Sequence, residues 1–70
     1  MAEVRAEIAA NVWQVLVEPG AEVAEGDELI ILESMKMEIP VPAPSDGTVS
    51  EVRVKPEDQV QEGDVLVVLG

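Results

Sequence analysis

Val23-Ala24-Glu25-Gly26-Asp27-Glu28-Leu29-Ile30-Ile31-Leu32 returns 37 residues later as Val60-Gln61-Glu62-Gly63-Asp64-Val65-Leu66-Val67-Val68-Leu69. Widening the match to Ala10–Glu33 against Gly47–Gly70 aligns 24 positions without a gap, and ten are identical. That is too many for chance, so the chain is read as two copies of one unit with approximate two-fold symmetry. Each copy is a set of short strands joined by turns. Val12, Val15 and Val17 offer a strand that Glu18-Pro19-Gly20 breaks, because proline fixes φ and glycine accepts φ > 0. Glu25-Gly26-Asp27 is a second turn, and the nearly all-apolar Glu28–Leu32 is a well-covered strand. The second copy repeats this through Pro56 and Glu62-Gly63-Asp64. Pro42 and Pro44 close the segment between the copies before the turn Ser45-Asp46-Gly47. No helical periodicity is sustained, so an all-β fold is expected, with about six main strands and a few very short ones.

Composition narrows the class. Seventy residues make one small domain, residues 1–70, with no room for a deep catalytic cleft. Hydrophobic residues are 47% of the chain, almost all Val, Leu, Ile and Ala, as strands prefer, and Trp13 is the sole aromatic. A packed position in a strand is expected for Trp13, in preference to a ligand-stacking role. Without cysteine there is no disulfide and no thiolate metal site. Four basic residues against 15 acidic ones give a formal charge of −11, which opposes binding to nucleic acid or to anionic membranes; it favours solubility and a basic partner surface, and the ordinary reading is that the acids keep a small β domain from aggregating. The opening Met1-Ala2-Glu3-Val4-Arg5 lacks the character of a signal peptide, and apolar runs such as Val65–Leu69 are far too short to span a bilayer. The cytoplasm is the expected compartment, and a monomer the expected state in isolation.

Between the copies stands Glu33-Ser34-Met35-Lys36-Met37-Glu38. The only other lysine is Lys55, and apart from Met1 the only methionines are the two beside Lys36. An amine between two flexible, polarisable side chains reads as a nucleophile presented for modification. The repeat places it. Strand Glu28–Glu33 must turn through Ser34–Met37 into Glu38–Val41, and the twin of that hairpin is Val65–Leu69 beside the N-terminal strand, with the connection missing. The chain ends are therefore expected at the end of the molecule opposite Lys36, which stands alone at a tip. The bland alternatives are an ordinary turn lysine and methionines that fill the core. Glu33, Glu38, Asp27 and Asp64 do not read as acid–base pairs, since the chain has no histidine and no room for a pocket. The two Glu-Gly-Asp turns lack the spaced oxygen ligands of a calcium loop. No catalytic and no metal-binding residues are assigned.

Glu33-Ser34-Met35-Lys36-Met37-Glu38, framed by two Val-x-x-Gly-Asp-x-Leu type units, resembles the biotinyl domain of biotin carboxyl carrier proteins, and the likeness to the wider biotinyl/lipoyl attachment family runs over essentially the full length. Glu7, Ala9 and Ala10 depart from the family's usual opening, where proline, proline and glycine are common, while Ala43–Val49 matches it better. The resemblance implies a flattened β-barrel, or barrel-sandwich hybrid, of two short sheets. It implies that Lys36 takes covalent biotin as an amide in a tight hairpin turn, with Met35 and Met37 as the flanking motif and Glu33, Ser34 and Glu38 as hairpin residues read by the ligase. It implies a biotin protein ligase acting through biotinyl-adenylate, since an ammonium group is no nucleophile at neutral pH without a catalyst. The implied working partners are a biotin carboxylase and a carboxyltransferase, often one for an acyl-CoA, between which the arm shuttles CO2. The protruding loop of some biotinyl domains has no space in a gapless repeat and is expected to be absent. Two alternatives share the fold: a lipoyl carrier of a 2-oxoacid dehydrogenase or glycine-cleavage type complex, and an unmodified scaffold module. Met35-Lys36-Met37 favours biotin, because lipoyl domains usually have an acidic residue before the lysine and a small one after it.

Overall fold

The computed structural model describes residues 2–70. Eight strands follow one another along the chain: β1 (Ala2–Arg5), β2 (Ala10–Val15), β3 (Glu22–Val23), β4 (Glu28–Ser34), β5 (Met37–Pro42), β6 (Gly47–Val52), β7 (Gln59–Val60) and β8 (Val65–Leu69). Six have four or more residues and two have only two, as the sequence predicts. They form two four-stranded antiparallel sheets, ordered β1-β8-β6-β3 and β5-β4-β2-β7. The described residues hold no helix. This is the barrel-sandwich architecture that the resemblance implies.

A shift of 37 residues carries each sheet onto the other, β5-β4-β2-β7 onto β1-β8-β6-β3. The short strands change places. β3 of the first copy pairs with β6 of the second, and β7 of the second pairs with β2 of the first. Each sheet is thus completed by the other copy, so neither unit can bury its apolar face alone. Registers repeat in detail. Val12↔Leu32 and Gln14↔Ile31 have the twins Val49↔Leu69 and Glu51↔Val68, and both copies carry an irregularity in between, at Trp13 and Ser50.

The core follows the same symmetry. Leu29, Ile30 and Leu32 are buried together with their twins Leu66, Val67 and Leu69, as are Val12 with Val49 and Val23 with Val60. The second turns are also twins. Gly26 and Gly63 have φ of 90° and 92°, as the turn reading requires. Gly26 N–H donates to the Ala43 carbonyl (2.9 Å), and Gly63 N–H to the Ala6 carbonyl (2.8 Å). The connections Leu16–Ala21 and Arg53–Asp58 are equal in length, so no loop protrudes from the first copy. Open edges are kept short or blocked: β3 and β7 have two residues each, and β5 carries Pro40 and Pro42.

One expectation about packing fails. Trp13 is 44% exposed. It sits where the β2–β4 register shifts between Val12 and Gln14, and at such a bulge the strand alternation that would bury an aromatic is interrupted.

Candidate functional site

β4 and β5 are joined by Met35 and Lys36 alone, with Ser34 paired to Met37 beneath them. A two-residue antiparallel connection demands backbone of the opposite hand at its centre, and Met35 and Lys36 have φ of 54° and 64°. Asn-Gly is the usual choice at such a turn. Two ordinary side chains there store strain, and such strain persists only where the surroundings hold it. The holding is done below. Leu32 pairs with Ile39, and Leu32 is part of the core. Between that pair and the turn, Glu33 lies directly across from Glu38, a like-charged pair that opposes the hairpin. The tip is therefore a costly conformation carried on a well-packed strand pair.

Lys36 is exposed. Both arginines are in ion pairs, Arg5 with Glu3 and Arg53 with Glu51, whereas neither lysine is in one among the described residues. The flanking methionines are not core filler: Met35 is 91% and Met37 63% exposed. Two bare thioether side chains beside a free amine make an accessible, adaptable apolar patch on an otherwise acidic surface. A shallow depression of about 280 Å3 separates the tip from Ala10, Asn11, Gln59 and Gln61. The arrangement presents an accessible amine at the apex of the hairpin.

The opposite end can be followed along the chain. β5 leaves the tip at Met37 and ends at Pro42; the next residue, Ala43, is bonded to Gly26 and Asp27. Beyond it Asp46 accepts a hydrogen bond from Glu25 N–H (2.8 Å), and Thr48 accepts one from Gly70 N–H (2.9 Å). Ala2 pairs with Leu69 close by. Ala2 and Gly70 therefore lie together at the end away from Lys36, and the described residues extend over 30 Å by 17 Å.

The site residues assigned from sequence come together: Glu33, Ser34, Met35, Lys36, Met37 and Glu38 make one hairpin tip. Asp27 and Asp64 take structural posts instead. Their carboxylates accept from Ala24 N–H (2.9 Å) and Gln61 N–H (2.8 Å), closing the twin turns. Asn11, Trp13 and Gln59, on strand β2, at its bulge and on β7, line the flank below the tip and carry no sequence signature. The mismatch of Trp13 with Ser50 in the repeat is the one signal that singles out this flank.

The family model described as biotin-requiring enzyme, which covers biotin and lipoyl attachment, matches residues 1–69. The chain belongs to the biotin/lipoyl attachment family. As an attachment domain it is a non-catalytic carrier. A protein of Mycobacterium leprae described as a biotinylated protein TB7.3 homolog is 56% identical over 50 residues, covering 71% of this chain and 70% of that protein. Among solved structures, a single-chain, multi-domain long-chain acyl-CoA carboxylase contains a segment 36% identical with a TM-score of 0.87. Kluyveromyces lactis urea carboxylase contains one 32% identical with a TM-score of 0.93. These cover 94% and 99% of the attachment domain but only 6% of each carboxylase chain.

Proposed function

We propose that Lys36 accepts biotin and that the loaded arm carries a carboxyl group between the two active sites of a biotin-dependent carboxylase. The observation that carries this reading is Lys36 itself, free and exposed at a hairpin apex between two exposed methionines, in a chain of the attachment family. The residues present fit the cofactor, since attachment needs an unhindered amine and an approach clear of the fold. The chain is not an enzyme, and its cofactor is biotin.

Attachment forms an amide. The Lys36 amine displaces AMP from an activated biotin carboxyl and gives up a proton to the ligase or to solvent. The positive charge disappears and the side chain becomes a long neutral stem. Bound biotin supplies the carboxyl-carrying chemistry. The chain supplies position: β4 and β5 hold the tip clear of the sheets, and Met35 and Met37 give the visiting enzyme an apolar grip. A biotin carboxylase loads the arm from bicarbonate and ATP, and a carboxyltransferase unloads it onto an acceptor. Likeness to a long-chain acyl-CoA carboxylase supports an acyl-CoA acceptor. The setting is the cytoplasm, and the free domain is a monomer.

Co-expression with a biotin protein ligase and, separately, with a lipoate ligase tests this by intact mass. One biotinyl group, absent from Lys36→Arg, is the expected result. A lipoyl group in its place moves the chain to the lipoyl carriers, and no gain under either condition makes it an unmodified scaffold.

A further inference from the structure

The two halves share a scaffold but not a surface. Among the described residues the exposed large apolar side chains are Ile8, Trp13 and Leu16 before the tip and Met35 and Met37 at the tip; none lies in the second copy. Where the repeat supplies a twin in the described second copy, it is polar: Ser45 for Ile8, Ser50 for Trp13 and Arg53 for Leu16. Trp13 looks onto an open groove of about 680 Å3 with Asn11, Glu33, Glu57, Asp58 and Gln59. Their twins are Thr48, Gly70, Gly20, Ala21 and Glu22; of the groove's residues only Val12 is kept, as Val49. The fold therefore does not require this groove. Asn11, Glu33 and Gln59 also border the depression beside Lys36, so the face runs without a break into the acceptor tip.

We propose that the Trp13 groove, continuous with the tip, is the docking surface for the biotin protein ligase that loads Lys36. The inference rests on the biotin reading given above. The occupant follows from reach and charge. An unmodified lysine is short, so the loading enzyme must close over the tip itself, whereas enzymes served by the finished arm meet it at a distance. A specific interface covers about 800 Å2 per partner, nearly a fifth of the 4423 Å2 surface of this molecule. It must therefore spread from the tip down one flank. The Trp13 flank offers an aromatic anchor in a desolvatable groove, as interface centres prefer. Glu33, Glu57 and Asp58 line the same groove, so the matching face of the ligase is basic, with an arginine or lysine set against the indole.

The repeat supplies substitutions already compatible with the backbone. Trp13→Ser installs the twin's residue, and Trp13→Phe keeps an aromatic. A purified biotin protein ligase with MgATP and biotin is assayed against the parent and each variant, with chain concentration varied and Lys36 loading read by mass. Trp13→Ser is expected to raise KM for the chain about tenfold with kcat held, and Trp13→Phe to restore most of it. Glu57→Gly, again the twin's residue, is expected to raise KM less and to flatten its rise with salt. Equal KM across folded variants overturns the docking surface while leaving the biotin reading intact. A parent that gains no mass at Lys36 sinks that reading and this surface with it. A dimer that Trp13→Ser dissolves in sedimentation, with KM unchanged, reassigns the face to a second copy. Trp13 fluorescence that shifts on loading, with KM unchanged, reassigns it to the cofactor ring.

Discussion

The turn Glu18-Pro19-Gly20-Ala21 and its twin Lys55-Pro56-Glu57-Asp58 solve one problem with different chemistry. They follow the twin strands β2 and β6 and make equivalent bonds: Gly20 N–H to the Val49 carbonyl in one, Glu57 N–H to the Val12 carbonyl in the other, each 2.8 Å. Both place positive φ two residues into the turn, 96° at Gly20 and 78° at Glu57. Glycine meets that demand without strain, and glutamate does not. The second copy offsets the cost with a bond that the first lacks, Lys55 N–H to the Asp58 carboxylate (3.0 Å). Backbone geometry is thus the property held in common, and residue identity is free to differ where a local bond can compensate. The hairpin tip extends this lesson. Met35 and Lys36 sit at positive φ with no side-chain hydrogen bond to support them among the described residues, so the strain is borne by the packed strands below.

The sharpest break between the halves is at the tip, which has no twin. Lys36→Arg is expected to abolish loading completely and to leave the thermal midpoint where it was, because an exposed apex takes little part in the core. Mass spectrometry and circular dichroism read the two effects, and unfolding of the variant would refute the tip's independence. Next in size are the twin glycines. Gly26→Val and Gly63→Val should each cost about 1–3 kcal/mol by urea denaturation. A Cβ at either position meets nothing within 4 Å, so backbone strain and not a clash at Cβ accounts for the loss. Costs that differ by more than the error would show that the halves are not energetically equivalent. Asp27→Ala and Asp64→Ala each remove one turn-closing acceptor and should cost about 1 kcal/mol, again alike. Smallest, and opposite in sign, Glu57→Gly should stabilise the chain by about 0.5–1 kcal/mol. A neutral or destabilising result would mean that Glu57 makes a contact worth as much as the strain it endures.

Most of this was legible because duplication writes long-range information into a short chain. Pairing Val12 with Val49 and Leu32 with Leu69 in sequence located the strands, the turns and the gap that leaves Lys36 alone. The exchange of β3 and β7 between sheets was not legible, since a two-residue strand has no period and its partner is set by closure of the whole core. The outward position of Trp13 was hidden for a related reason: a bulge shifts alternation without marking the residues that form it. Asp27 and Asp64 read as turn residues, but a carboxylate that closes its own turn has the same sequence as one that faces solvent. The exposure of both methionines rules out the core-filling alternative, which sequence alone left open.

The place where the twin hairpin is missing has a constructive consequence. By the 37-residue arithmetic, a four-residue bridge from Gly70 to Met1 would correspond to Ser34–Met37. A ring closed with Ser-Met-Lys-Met, and reopened at one of the equal-length loops, would carry an acceptor amine at each pole, turning a one-handed courier into a two-handed one.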